Sequence, residues 1–263
     1  MDTKFLWPYS DSSMAFTKEE NDGTNMLLLD FGERIGQRLE ETKTLDGVKR
    51  VIAFGTHIHR DHISGVQQLK HACEKSGAKL MFLMPDIKRQ RRQLYTALIT
   101  LGMKHIKEIS ADEVADMLNL QSIDFEAIDH NPMNPSALGD KYARVDTTAL
   151  IMQTKEQDER NKIVYAADNN DKPFVKSVLR DKALKELFLD MTFKKHGLGV
   201  HFTLKKIEKI ANAFELGAED RQRIIGMHFL SKDLPAKVKE AGFGVATDRM
   251  VQAEGLEPTT YSV

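Results

Sequence analysis

The hexapeptide His57-Ile-His59-Arg-Asp61-His62 brings three imidazoles and one carboxylate into six consecutive positions. Imidazole nitrogens and a carboxylate oxygen together suit Zn²⁺ or a similar divalent ion. The segment follows the apolar run 51–55, and in an extended backbone residues two apart project to the same side, so His57 and His59 can bind one ion. Only 9 of the 263 residues are histidine, which makes a chance cluster of this kind rare. The motif therefore predicts a metal site.

Asp61 and His62 stand where the chain enters the helix indicated by residues 65–69. From that position they can face a second ion close to the first. Two divalent ions about 3.5–4 Å apart activate a water molecule near neutral pH and stabilise negative charge on a substrate oxygen. The motif therefore favours hydrolytic chemistry.

Alternating strands and helices must position this motif. Helical periodicity covers 85–101 and 202–214, and the longest expected loop covers 131–145. The alternation indicates an α/β layer architecture, and we expect a single domain over residues 1–263. Short apolar runs typical of buried strands occur at 26–29, 51–54, 80–84, 149–152, 163–166, 187–189 and 224–227.

Composition excludes several classes of protein. The net charge of −1 gives no overall field that would attract nucleic acid or an anionic membrane, and no apolar stretch reaches the length of a membrane span. Cys73 is the only cysteine, so no internal disulfide can form, and we expect a reducing, cytoplasmic location. We interpret Cys73 as a small buried hydrophobe. The basic run 88–92 lies in an expected helix, where a solvated helix face is the ordinary interpretation and a nucleic-acid patch the alternative.

The sequence H-x-H-x-D-H after an apolar strand resembles the signature of the metallo-β-lactamase-fold hydrolases. That family places further ligands at the ends of later strands, and His130, Asp168 and His228 each end a strand-like run in this chain. Taken singly, each is an ordinary polar residue at a strand end. The resemblance implies that Asp168 bridges two metal ions. It implies the remaining ligands as His57, His59 and His130 for the first ion, and Asp61, His62 and His228 for the second.

The same resemblance implies the fold and the cofactors. The expected fold is an αββα four-layer sandwich, in which two sheets lie face to face between outer helices. The expected cofactors are two divalent ions, with Zn²⁺ favoured and Mn²⁺, Fe or Co²⁺ also compatible with the ligands. Asp30 occupies the position where the family places a carboxylate beneath the site, although an Asp before Gly32 is also typical of a turn.

Two segments indicate a branch of this fold. Residues 189–193 and 201–203 resemble the paired motifs of the ribonuclease Z branch, which cleaves phosphodiesters. The resemblance implies that His201 binds the scissile phosphate and helps to protonate the leaving oxygen, while Asp190 orients His201. A polar residue at a helix start is the structural alternative for His201. We therefore take His201, Asp190 and Asp61 as the candidate catalytic residues.

Two departures from this branch concern the substrate. The glycine-rich turn near the N-terminus is missing, and the 38 positions from His130 to Asp168 leave no room for the protruding arm of tRNA-processing members. A large RNA would need phosphate contacts over a wide surface. A smaller phosphodiester fits better, and armless relatives include cyclic-nucleotide phosphodiesterases, among them phage enzymes that destroy cyclic nucleotide defence signals.

The sequence therefore predicts a two-metal phosphodiesterase that acts on a small or cyclic nucleotide, with a homodimer implied by the resemblance. RNA is a less favoured partner, and no membrane partner is expected. A ribonuclease Z-like RNA endonuclease is the first alternative. An ester, thioester or lactone hydrolase on the same metals is the second, and it would need no equivalent of His201. A metal-binding protein without catalysis is the third, which the full ligand set disfavours.

Overall fold

Two six-stranded sheets form the centre of the molecule. The computed structural model describes residues 2–7, 13–20, 23–128, 147–156, 158–191, 202–227, 229 and 233–249. The strands of the first sheet are adjacent in chain order: β1 (Asp2–Trp7), β2 (Ser13–Glu20), β3 (Gly23–Leu29), β4 (Val48–Phe54), β5 (Lys79–Leu83) and β6 (Glu108–Ile109). Those of the second sheet are also adjacent in chain order: β7 (Leu120–Ile128), β8 (Thr147–Thr154), β9 (Lys162–Tyr165), β10 (Leu184–Asp190), β11 (Ile224–Met227) and β12 (Gly244–Val245).

The two sheets pack face to face through a shared apolar core. Phe16 of β2 meets Phe188 of β10 edge to face, with ring centroids 6.3 Å apart, and Phe54 of β4 meets Phe125 of β7 at 5.6 Å. Side chains alternate between the faces of a strand, so each central strand also directs apolar residues outward. Those outward residues need a second apolar layer on each side.

Helices supply these outer layers. They are α1 (Ile35–Glu41), α2 (Arg60–Ile63), α3 (Val66–Ser76), α4 (Lys88–Thr100), α5 (Ala111–Leu118), α6 (Lys172–Arg180), α7 (Leu204–Ala213), α8 (Ala218–Gln222) and α9 (Leu234–Glu240), followed by a 3₁₀ turn over Ala246–Arg249. Apolar residues of α1, α3 and α4 share a buried cluster with the outer face of the first sheet. Those of α6, α7 and α9 do the same for the second sheet. The expected αββα four-layer sandwich is confirmed.

The direction of the strands decides where the loops of the site lie. Strands β3 to β6 are parallel, and so are β9 to β12, whereas β1–β2–β3 and β7–β8–β9 pair antiparallel. The carboxyl ends of parallel neighbours meet at one edge of a sheet. The residues that follow β3, β4, β9 and β10 are therefore brought together.

Every apolar run predicted as a strand corresponds to a strand, although the runs 80–84 and 163–166 each extend one residue beyond β5 and β9. The helical patterns at 85–101 and 202–214 correspond to α4 and α7. One local detail differs from the prediction. Residues 56–58 form bends rather than an extended strand, and α2 begins at Arg60, inside the metal motif. The loop expected at 131–145 lies outside the described residues. None of the helices in the described part of the chain is long and apolar enough to span a membrane.

Candidate metal centre

The loops after β4 and β9 bring the central residues of the motif together. His57 and His59 follow β4, Asp61 and His62 lie in the single turn of α2, and Asp168 follows β9 in the opposite sheet. The backbone N–H of Thr148 in β8 donates to the carbonyl of Thr56 at 2.9 Å. This bond ties the loop of the first sheet to the second sheet, so donors more than 100 positions apart in sequence share one edge.

One group of metal-ligating side chains comprises His57, His59 and Asp168, with one donor atom of each within 4.8 Å of the others. His57 Nε2 lies 3.0 Å from His59 Nδ1 and 4.0 Å from Asp168 Oδ2. The rings of the two histidines meet edge to face with centroids 4.6 Å apart. Two nitrogens and a carboxylate oxygen converge here as a divalent ion requires.

A second group comprises Asp61, His62 and Asp168, again with donor atoms within 4.8 Å. His62 Nε2 lies 3.4 Å from Asp168 Oδ2 and 3.8 Å from Asp61 Oδ2. Asp168 belongs to both groups, and the rings of His57 and His62 lie with centroids 4.0 Å apart. The arrangement is that of two neighbouring cation sites with one shared carboxylate.

Burial supports this interpretation. The side chains of His57, His62 and Asp168 are almost completely buried, whereas His59 and Asp61 reach the surface. Burying a carboxylate and polar rings is costly unless they are paired or coordinate a metal. A buried floor with an open side is the geometry of a site that holds ions and admits a substrate. The residues present therefore fit a metal ion of the zinc type.

Electrostatics point the same way. Burial of the imidazole works against its positive charge, but the Asp30 and Asp168 carboxylates outweigh it and raise the pKa of His62 well above its ordinary value. The carboxylates thus create a strong local preference for positive charge. A metal ion that uses His62 as a ligand would satisfy this preference and displace a proton.

Asp30 lies beneath the site, at the end of β3. Its Oδ2 is 2.9 Å from His62 Nδ1, and its Oδ1 accepts from the backbone N–H of Thr56 at 2.8 Å. Tyr165 of β9 donates its hydroxyl proton to Asp30 Oδ2 at 2.9 Å. The carboxylate thus contacts the second nitrogen of a predicted ligand, where metal-binding histidines usually find an acceptor.

Two residues of the site have a positive backbone φ angle, which residues other than glycine rarely adopt. Asp30 has φ 57° and Ala167, directly before Asp168, has φ 45°. Left-handed conformations of residues other than glycine cost free energy and cluster at functional sites, where surrounding contacts hold them. Here the left-handed backbone of Ala167 lies directly before the shared carboxylate of Asp168.

Several predicted residues are not tested by this geometry. His130, His201 and His228 lie outside the described residues, although His228 directly follows β11 in sequence. Asp190 is described: it ends β10, is fully buried, and donates its backbone N–H to the carbonyl of Ala167 at 3.2 Å. It therefore lies one strand away from the loop of Asp168. Its action on His201 stays a prediction, as does metal ligation by each named residue.

Sequence reasoning missed Thr56 and Tyr165. Thr56 directly precedes the metal motif, and Tyr165 stands three positions before Asp168. Neither side chain binds metal readily, so a search for ligand types passes over both. The sequence could have indicated their roles only through their positions, because Thr56 is next to His57 and Tyr165 is close to Asp168.

A groove of about 600 Å³ opens beside the motif. Ile58 and Arg60, which flank His59, form one wall, and α4 forms the other, with Arg92 among its residues. Its other lining residues include both apolar and polar side chains, and most of the surface exposed in the groove is apolar. Grooves of this volume are typical of sites for small ligands.

The fold and this centre define a class, the metallo-β-lactamase-fold hydrolases. A solved diphosphatase of the PhnP family aligns with a TM-score of 0.61 and 14% identity over 97% of this chain and 97% of that chain. The metallo-beta-lactamase fold protein YhfI from Bacillus subtilis aligns with a TM-score of 0.59 and 15% identity over 92% of this chain and 95% of that chain. The short form of human tRNase Z aligns with a TM-score of 0.53 and 14% identity over 96% of this chain and 98% of that chain. At these identities the likeness shows the fold.

The sequence profile of the family described as anti-Pycsar protein Apyc1 matches residues 9–251. The chain belongs to this family, which degrades cyclic nucleotides. Among curated protein sequences, none matches the chain. Family and site together make the protein a metal-dependent phosphodiesterase.

Proposed function

We propose that the protein hydrolyses a cyclic nucleotide with the aid of two divalent ions held at the shared edge of its sheets. The observation that carries this proposal is the position of Asp168, which lies within reach of both ligand groups. Membership of the Apyc1 family supports a cyclic nucleotide as the substrate. The proposal covers the ion count, the substrate and the roles of individual residues.

In this proposal the histidines of the motif and the carboxylate of Asp168 would hold the two ions. His57, His59 and His130 hold the first ion, and Asp61, His62 and His228 hold the second. When bound, such ions supply Lewis acidity that activates water and neutralises charge on a phosphate. Zn²⁺ suits these nitrogen and oxygen ligands best, and Mn²⁺, Fe and Co²⁺ are alternatives.

The chain's own side chains handle protons at the two ends of the reacting bond. The Asp61 side chain is 37% exposed, so one of its oxygens can accept a proton from the attacking water while the residue faces the substrate. On the far side of the phosphorus, His201 donates a proton to the leaving ribose oxygen. Asp190 holds His201 in place from the end of β10.

A small substrate fits the surroundings of the centre. The groove beside His59 has a volume typical of small-ligand sites, and its mostly apolar surface includes Arg60 and Arg92. Guanidinium groups attract phosphate, and apolar walls suit the flat face of a nucleobase. The net charge of −1 offers little attraction for a long polyanion.

The homodimer implied by the family resemblance is part of the proposal. Light scattering coupled to size-exclusion chromatography tests it directly, because one chain has a mass of 29.8 kDa. A peak near twice this mass supports the dimer, and a peak at this mass contradicts it.

A hydrolysis panel with purified protein tests the function. The substrates are 3′,5′- and 2′,3′-cyclic nucleotides, bis-p-nitrophenyl phosphate, a precursor tRNA, and one thioester and one lactone. We expect ring opening of a cyclic nucleotide to have the highest kcat/KM. Preferred cleavage of the precursor tRNA would establish the ribonuclease alternative. Preferred turnover of the thioester or the lactone would establish the ester hydrolase.

A further inference from the structure

A continuous series of hydrogen bonds runs beneath the metal centre from one sheet to the other. It starts at Tyr165 in β9, passes through the carboxylate of Asp30 and the hydroxyl of Thr56, and ends at His57 Nδ1. Tyr165, Asp30, Thr56 and His57 are all buried. Water does not reach these buried groups, so each hydrogen bond between them must consist of one proton donor and one acceptor.

The direction of these bonds follows from the number of protons. Thr56 Oγ1 lies 2.9 Å from Asp30 Oδ1 and 3.1 Å from His57 Nδ1. A carboxylate only accepts, so the single hydroxyl proton of Thr56 must point to Asp30. The hydroxyl oxygen is then an acceptor for His57, and His57 must carry its proton on Nδ1. The opposite tautomer would leave Thr56 Oγ1 and His57 Nδ1, 3.1 Å apart, as two acceptors without a proton between them.

This tautomer directs the free electron pair of His57 towards the metal centre. A neutral imidazole protonated on Nδ1 has its lone pair on Nε2, and Nε2 is the atom that faces His59 and Asp168. The same carboxylate acts on the second ion site. Asp30 Oδ2 lies 2.9 Å from His62 Nδ1, which leaves His62 Nε2 for the group with Asp61 and Asp168.

Tyr165 connects this arrangement to the opposite sheet. Asp30 follows β3 in the first sheet, whereas Tyr165 is the last residue of β9, two positions before Ala167 and three before Asp168. The hydroxyl of Tyr165 thus fixes the carboxylate that orients the histidines, while its own strand positions the shared ligand. This hydrogen bond and the one from Thr148 to Thr56 both connect the two halves of the centre.

We infer that Thr56 and Tyr165 are positioning residues that select the metal-binding tautomer of His57 and fix the carboxylate beneath both ion sites. The inference rests on the proposed metal centre. Neither residue touches the substrate in this account. Their loss should weaken metal binding on the order of 10–100-fold, as removal of partners behind metal-bound histidines usually does.

The first test reads the tautomer directly, without metal and without turnover. Histidine is labelled with ¹⁵N, and long-range ¹H–¹⁵N correlation spectra of the metal-free protein are recorded at about pH 8.5, where ordinary imidazoles are neutral. His57 should show its proton on Nδ1. Thr56→Val keeps the shape of the side chain but removes the hydroxyl. In this variant the proton of His57 should no longer favour Nδ1 over Nε2. Thr56→Ser should restore the wild-type pattern.

The second test measures zinc affinity by competition with a chromophoric chelator. Thr56→Val and Tyr165→Phe should bind zinc at least about 10-fold more weakly than wild type, and Thr56→Ser within about 3-fold. Thr154→Val is the matched control, because Thr154 is a buried threonine at the far end of β8. Thermal unfolding of each variant shows whether it is folded.

The outcomes separate this inference from the proposed function. A wild-type protein that binds no zinc would overturn the metal centre itself. A wild type that binds zinc, together with a folded Thr56→Val of equal affinity, would overturn the inference alone. A wild-type His57 protonated on Nε2 would also overturn it. If Thr56→Val does not fold, Tyr165→Phe decides, because it removes only one oxygen atom.

Discussion

At the scale of single residues, the six-residue motif says more about function than the rest of the sequence. Its histidines and Asp61 lie next to Asp168 from the other sheet. Together these side chains form two groups of possible metal ligands that share Asp168. Ligand types could be predicted from the sequence because metals restrict them strongly. Of the partners behind the ligands, Asp30 was implied by the family resemblance. Tyr165 could not be predicted, because it lies 135 positions from Asp30 and belongs to no recognisable spacing.

The role of His201 leads to a prediction about leaving groups. His201→Ala should leave the metal content unchanged and lower kcat for a cyclic nucleotide by roughly 10²–10⁴-fold, the usual contribution of a general acid. The loss should be much smaller for bis-p-nitrophenyl phosphate, because p-nitrophenolate leaves without a proton. Steady-state kinetics on both substrates measure this, with the exposed His71→Ala as control. Equal losses on both substrates would contradict the role of His201 as an acid.

Cys73 provides a prediction about reactivity. Burial, with a smaller contribution from Glu74, raises the pKa of the Cys73 thiol to about 12. Thiolate is the reactive form, so at about pH 8 the folded protein should react with a disulfide reagent far more slowly than a free thiol does. The reaction is followed by absorbance in buffer and in denaturant. Fast labelling of the folded protein would show that Cys73 is accessible and would contradict its burial in α3.

At the scale of elements, strands were easier to predict than helices. The apolar runs that form β3, β4, β5, β8, β9, β10 and β11 are buried on both faces, so they appear as continuous hydrophobic stretches. Several helices were not predicted. In α5, Ser110 and Glu113 form a capping box, and in α6 Asp171 caps the first turn ahead of Pro173. These helices are only eight and nine residues long, and their caps mark where they begin.

The junction of α2 and α3 gives a prediction about packing. Gly65 lies between these helices and donates its N–H to the carbonyl of Phe31 at 2.9 Å. A Cβ atom at position 65 would lie 2.0 Å from the carbonyl oxygen of Gly32 and 2.8 Å from that of Phe31. The loop that carries Asp30 would have to move away from the metal motif.

Gly65→Ala should therefore lower the free energy of unfolding by at least about 1–3 kcal/mol, the usual cost of overpacking, and should also weaken zinc binding. Denaturant titration and chelator competition measure the two effects. Gly217→Ala is the matched control, because Gly217 also precedes a helix and a Cβ atom there meets nothing within 4 Å. Alanine is a poorer N-cap than glycine, so the stability of this control should stay within about 1 kcal/mol of wild type. A Gly65→Ala protein as stable as the control would refute the close contact.

At the scale of the whole molecule, the parallel strands of both sheets explain why a metal centre forms at this edge. The sequence pattern predicted α/β layers, and only the family resemblance predicted four of them. Long-range pairing decides the order of the strands, and periodicity along one strand carries no information about its neighbour. The convergence of His57 and Asp168 depends on how the two sheets stack, which is a property of the complete fold.

A metal ion bound here would connect the two sheets, because its predicted ligands come from both. Binding to the folded chain alone stabilises it by about 2.7 kcal/mol at a free metal concentration 100 times Kd. For a protein of this size that corresponds to a rise in Tm of roughly 5–10 °C. Calorimetry of metal-free protein with and without added zinc measures the rise. An unchanged Tm at saturating zinc would contradict a site built from both sheets.

The most direct test of the central claim compares wild type with Asp168→Asn during hydrolysis of a 3′,5′-cyclic nucleotide, followed by ³¹P NMR. The substitution keeps the shape of the shared ligand and removes its charge, while Asp46→Asn, in an exposed turn, serves as control. Metal-stripped wild type should be inactive and should regain full activity with about two equivalents of zinc per chain. Asp168→Asn should lose more than the 10–100-fold that loss of an outer partner typically costs, and added zinc should not restore it. Full activity in stripped wild type, or in Asp168→Asn, would contradict the account.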